Sequence, residues 1–278
     1  MDDKPERIEQ ISDIIANIQQ SISIINKELA ATSAKADRPW YHDPSLIIAL
    51  LALLFSFGTT AVSYIRANQQ DIHDKRAELR SLILRLNQLP RENLEYSKKY
   101  EGEPLIAGGI SGLLNGENAL VAKQAADVMS SMPGNVSATE YLSVATALIN
   151  SGLTEPAMKL IKLALPVSND VNDEVAVLRN YAGLLFTTGD LEGGREKFKT
   201  ALMIFSKYPT TNQYYVETTN ALTEMYWAQY EALARQCPYA KSHVAQAYSH
   251  LSVLSPGSYE NIKGQVDQVQ KAVDSCNP

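Results

Sequence analysis

TEYLSVATALINSGLTEPAMKLIKLAL (139–165) and AVLRNYAGLLFTTGDLEGGREKFKTAL (176–202) align without a gap at an offset of 37 residues, from 139 to 176. Ala145 then pairs with Ala182, Leu148 with Leu185 and Gly152 with Gly189; further along, Ala157 pairs with Gly194, Ile161 with Phe198 and Ala164 with Ala201. In each segment apolar residues recur three and four apart, a glycine interrupts them, and a second such run follows. That pattern reads as helix, turn, helix. The paired small residues predict close helix crossings, and the paired large ones predict the filling between helices. Self-similarity at such a period points to an array of stacked units, because one hairpin alone cannot bury its apolar face.

Gly189-Asp190 followed by Gly194, Phe198 and Ala201 resembles the turn and second helix of a tetratricopeptide repeat, and Ala182 falls at that family's small first-helix position. The resemblance covers 175–206 and extends to 138–168. Before these, Leu105–Leu114, Gly116 and the helix Ala119–Ser131 read as a degenerate copy; after them, Tyr214–Gln236 and Ala240–Leu254 read as another with an overlong first helix. Neither clear copy has a first-helix Trp or the usual closing Pro, and the period is longer than the family's. A last helix, Tyr259–Ser275, with Ile262, Val266, Val269 and Val273 on one face, would cap the array. The resemblance implies an all-α, right-handed array of helical hairpins over 103–278. It also implies a concave groove for an extended protein or peptide partner. Matched position by position, that groove is lined by Thr139, Leu142, Thr146, Ile149, Arg179 and Phe186.

Upstream, Ser45 to Ile65 (SLIIALLALLFSFGTTAVSYI) is uncharged and apolar. At 1.5 Å per residue it reaches about 31 Å, enough to cross a bilayer as a helix. Trp40, Tyr41 and Tyr64 sit at its ends, where aromatic rings meet headgroups. Residues 40–66 are therefore expected to form one transmembrane helix with its flanks. The 44 residues before the run (1–44) argue against a cleaved signal peptide.

Ile8, Ile11, Ile15, Ile18, Ile22, Ile25 and Leu29 alternate three and four apart within 1–39. This is coiled-coil spacing over about three heptads, and Ile at both seam positions favours trimers or tetramers. After the span, 67–102 continues the heptad through Ile72, Leu79, Leu82, Leu86 and Leu89. Asn68 and Lys75 interrupt it, and Pro90 is expected to stop or kink the helix. Inside the span, Ala52, Ser56 and Thr60 share a face of small residues. Each segment offers a seam for a second copy, so a homo-oligomer is expected.

No reactive constellation emerges. The net charge of −6, with no basic stripe, argues against nucleic acid. His42, His73, His243 and His250 show no zinc spacing, and no phosphate loop or GxSxG elbow occurs. His243 and His250 lie seven apart on one helix face, which reads as partly exposed polar surface rather than a ligand pair. No catalytic residue, metal or cofactor is therefore expected, and no enzyme. The tail is rich in aromatics, Tyr214, Tyr215, Tyr226, Trp227, Tyr230, Tyr239 and Tyr248. They read first as core with hydroxyls reaching the surface.

Two signals bear on topology. Arg66, Lys75, Arg76 and Arg80 follow the span, whereas only Lys35 and Arg38 closely precede it. That charge count favours the cytoplasmic side for the repeat domain. Cys237 and Cys276 fall at helix ends that meet in an antiparallel hairpin, a candidate disulfide needing an oxidising compartment, so the periplasmic or extracytoplasmic side stays open. The expectation is a self-associating, membrane-anchored scaffold for a protein or peptide partner. The alternative is a membrane regulator or effector whose repeat domain senses a ligand and rearranges the transmembrane helices.

Overall fold

The computed structural model describes residues 19–27, 44–254, 257 and 259–276, and among them it is helical throughout, without a strand. Ile8, Ile11, Ile15, Ile18 and Leu29 of the expected seam lie outside the described residues, as do Trp40 and Tyr41. The chain divides into two compact units, Met1–Asp71 and Ile72–Pro278.

In the first unit residues 19–27 are helical (α1), with Ile22 exposed and Ile25 half-buried. Helix α2 runs from Pro44 to Lys99, and its N-terminal part is the one described helix long and apolar enough to cross a membrane. Its apolar side chains face outward, Ile48 at 66% and Phe55 at 76% exposure, as a lipid-facing surface requires. The Thr59 and Thr60 hydroxyls both donate to the Ser56 carbonyl (2.9 Å each), which satisfies them without water.

In the second unit α2 does not end at Pro90. The ring removes one backbone donor, yet the helix continues to Lys99. Pro90 is exposed, while Leu86 and Leu89 before it are anchored in the core, and Arg85 pairs across the position with Glu92 at 2.5 Å. Leu79, Leu86 and Leu89 join the same apolar cluster as Val121, Ala122, Ala125 and Met129 of α3 (Pro104–Ser131). Their heptad is thus satisfied within the chain and leaves no leucine seam there for a second copy. Arg85 also grips Glu117 through Nε (2.7 Å) and Nη2 (3.0 Å), and Arg76 reaches Glu140 at 2.8 Å.

The expected hairpin over 105–131 is instead the single helix α3. Gly116 adopts no left-handed φ, and the helix runs through it despite the neighbouring Asn115 and Asn118.

Three hairpins follow: α4 (Ala138–Asn150) with α5 (Thr154–Ala164), α6 (Val171–Thr187) with α7 (Leu191–Met203), and α8 (Gln213–Leu233) with α9 (Cys237–Ser252). Short 3₁₀ turns, Leu165–Val167 and Ile204–Lys207, close the first two. The N-termini of α4, α6, α7 and α8 are capped by side chains, whereas those of α5 and α9 are not. Ser137 and Glu140 form a capping box, Asp170 and Asp190 accept the amides of Asp173 and Gly193, and Asn212 accepts that of Tyr214. Gly152 (φ +75°) and Gly189 (φ +90°) end α4 and α6 in left-handed caps, with Leu153 N–H donating to the Leu148 carbonyl and Asp190 N–H to that of Leu185. The third hairpin repeats this cap with Arg235 (φ +57°) in the glycine's place, Gln236 N–H donating to the Glu231 carbonyl at 2.8 Å.

The aligned pairs sit at equivalent depths. Ala145, Ala182, Ala157, Gly194, Ala164 and Ala201 are buried, with Ile161 and Phe198 fully so; only Leu185, half-buried opposite fully buried Leu148, departs. A Cβ on Gly194 would stand 2.4 Å from the Phe186 ring, so α7 approaches α6 too closely for any side chain. The first helices are neighbours, α4 beside α6 and α6 beside α8. Helix α10 (Glu260–Asp274) packs on α8 and α9, burying Val266 and Val273.

Candidate functional site

Of the six groove positions, four keep surface. Thr139 and Thr146 are exposed on α4, whereas Ile149 on α4 and Arg179 on α6 are half-buried. The Thr139 hydroxyl donates to Asp173 Oδ1 of the next hairpin at 3.0 Å. Leu142 (9% exposed) and Phe186 (6%) belong to the core instead. Phe186 stands 6.0 Å, centroid to centroid, from both Phe198 and Tyr230, in a cluster that joins the second hairpin to the third. An α6 face that meets α7 and α8 at once has little surface to spare at that depth.

Arg179 has the most distinctive surroundings. Its Nε donates to Thr223 Oγ1 at 2.9 Å, and its Nη2 donates to the same hydroxyl at 2.6 Å and to the Thr219 carbonyl. Its guanidinium lies 5.7 Å from the Tyr226 ring centroid. No carboxylate pairs with it among the described residues. Burial therefore pushes its pKa down to about 10, against the opposing pull of Tyr226 and Tyr215. Beside it opens a cavity of 310 Å³ whose lining includes Asn172, Val175, Arg179, Tyr215, Thr218 and Ile262. The Tyr215 hydroxyl donates to Asn172 Oδ1 and so ties α8 to α6. Arg179 is visible in the sequence as a lone charge in an apolar stretch. Its threonine partners lie 40 and 44 positions away, and their only signal is a cluster of polar residues, Thr218, Thr219 and Thr223, that a helix buries.

Several other polar groups on these helices are committed to one another, although the buried Asn220 Oδ1 has no hydrogen-bond partner among the described residues. His243 Nδ1 lies 2.6 Å from Glu224 Oε2 and His250 Nδ1 lies 2.7 Å from Glu217 Oε2, so the two histidines serve as rungs between α9 and α8. Trp227 stacks on His243 with centroids 3.8 Å apart. Glu231, fully buried, accepts from Arg195 Nε (2.7 Å) and Nη2 (2.9 Å) and from Trp227 Nε1 (3.0 Å). Among the described residues no group of three or more His, Cys, Asp or Glu side chains could hold a metal ion.

Cys237, at the start of α9, and Cys276, just past α10, are joined by a disulfide with their Cα atoms 5.7 Å apart. The bond pins α10 to the third hairpin.

No protein-family model, curated protein or solved structure matches the chain. Among the described residues the protein is all-helical, with extensive helix–helix packing and one candidate membrane-spanning helix.

Proposed function

We propose that this is a membrane-anchored, self-associating, non-enzymatic scaffold. In this reading 103–278 works as a right-handed, tetratricopeptide-like array that holds a protein or peptide partner along its first helices. The observation that carries the reading is the side-by-side order of α4, α6 and α8, with Thr146, Ile149 and Arg179 still accessible along it. Photo-crosslinking the full chain in its native membrane tests it. A benzophenone side chain at Thr146, on α4, should trap a discrete partner, whereas one at exposed Leu163 on α5 should not. Equal trapping at both positions, or none at Thr146, would remove the groove.

Self-association is assigned to the N-terminal isoleucine heptads, since Leu79, Leu86 and Leu89 after the span are already occupied within the chain. One observation favours the regulator reading as well. Helix α2 is unbroken from Pro44 to Lys99, so the helix that carries the apolar span is the one that carries Leu79, Leu86 and Leu89.

The disulfide supports an oxidising compartment for the repeat domain, against a charge count whose margin is two residues. Closing a loop of sequence separation 39 stabilises the fold by about 2–4 kcal/mol. Cys237→Ser should lower stability by that amount. In intact cells the two thiols should resist alkylation until a reductant is added. Thiols labelled freely on permeabilisation alone would instead put the domain in the cytoplasm.

A further inference from the structure

We propose that the cavity beside Arg179 binds a monoanionic carboxylate carried on a short apolar body. The proposal rests on the groove reading above and narrows what the groove accepts.

Donor accounting comes first. A guanidinium has five N–H groups. The Nε group and both of those on Nη2 are used by Thr223 Oγ1 and the Thr219 carbonyl, which leaves the two on Nη1 with no acceptor among the described residues. These same contacts hold the guanidinium in one orientation, so little freedom remains to be lost on binding.

Charge accounting agrees. None of the acids on α6 and α8 pairs with Arg179; each hydrogen-bonds elsewhere. Asp173 accepts from Thr139, and Glu174 accepts from Lys207 and Tyr208. Glu217 and Glu224 face His250 and His243. Arg179 is half-buried and has no counter-ion among the described residues, and an anion delivered by a ligand would supply one. One cation calls for one negative charge. A phosphate dianion would bring a second with nothing to neutralise it, whereas a carboxylate matches both the charge and the donor geometry.

The walls define the rest of the ligand. Val175 and Ile262 supply apolar surface, and 310 Å³ lies at the small end of ligand cavities. The body is therefore of the size of one branched aliphatic side chain, whether in a free acid or at the C-terminus of a peptide.

Titration calorimetry on the detergent-solubilised full chain tests this with 4-methylpentanoate, 4-methylpentanamide, and acetyl-Ala-Ala-Leu with a free or amidated C-terminus. Both acids should bind, with each amide weaker by about tenfold or more. Arg179→Met should abolish the difference. Ile262→Trp, which adds bulk to the cavity lining and leaves Arg179 itself unchanged, should weaken both acids and guards against misfolding of the Arg179 variant. Equal affinity for the two acids would identify a free small acid as sufficient, and preference for the peptide acid would identify a chain terminus. The proposal is overturned if acids and amides titrate alike, if neither acid binds, or if inorganic phosphate binds more tightly than both. Crosslinking at Thr146 without acid binding would sink the carboxylate site and spare the scaffold. Acid binding without crosslinking would do the reverse.

Discussion

Phe198→Ala is expected to lower stability by about 3–5 kcal/mol, the range for deleting a large, fully buried side chain. Phe198 has no exposed surface, and its ring lies 5.5 Å from Trp227 and 6.0 Å from both Phe186 and Tyr230. These rings come from α6, α7 and α8, so the cavity opens where two hairpins meet rather than inside one. Collapse into it is limited, because α7 already approaches α6 closely at Gly194, where an added Cβ would stand 3.1 Å from the Ala182 carbonyl oxygen. Phe198→Leu, which keeps most of the volume, should cost about 1.5 kcal/mol or less. Denaturant unfolding of the solubilised chain, followed by Trp227 fluorescence, reads both variants. A loss below about 1 kcal/mol for the alanine variant would mean that Phe198 is not the keystone of that junction.

How much of this was legible in the sequence depended on whether a residue's effect is local. Gly152 and Gly189 announce their turns because a left-handed cap is cheap only for glycine. The third cap, at Arg235, carries no such mark. Its φ of +57° is enforced by the packing of α8 against α9 and by Gln236 N–H reaching back to Glu231. Pro90 and Gly116 mislead in the opposite sense. Both are helix breakers by intrinsic preference, yet the helix runs through both. The heptad of Leu79, Leu86 and Leu89 is ambiguous in principle, since the same stripe can face a second copy or the chain's own α3. For the candidate site, the tetratricopeptide resemblance supplied Arg179 but not its surroundings. Asn172, Thr219 and Ile262 converge there from three helices, and no spacing along the chain encodes that. The apolar span was legible because length and lack of charge are themselves the physical requirement.

The second large effect is expected at the buried ion pair between α7 and α8. Glu231 has no exposed surface, and both its oxygens are engaged by the Arg195 fork, with Trp227 Nε1 adding a third donor. The carboxylate hydrogen bonds hold the Arg195 guanidinium above its ordinary pKa, and the ring of Tyr239 lies 4.4 Å from the same guanidinium. Arg195→Met keeps much of the side-chain volume but strands a carboxylate in the core, at a cost of about 3–5 kcal/mol. The pair as a whole is worth much less than that, because forming it strips water from two charges. Arg195→Met combined with Glu231→Leu should therefore be more stable than Arg195→Met alone by about 1–3 kcal/mol, even though it removes one more native side chain and leaves the Trp227 N–H without its acceptor. Chemical denaturation of the wild type, both single variants and the double variant closes the cycle. A double variant at least as unstable as the sum of the singles would show that Glu231 gains nothing from Arg195 and that the bond to Trp227 holds it in the core.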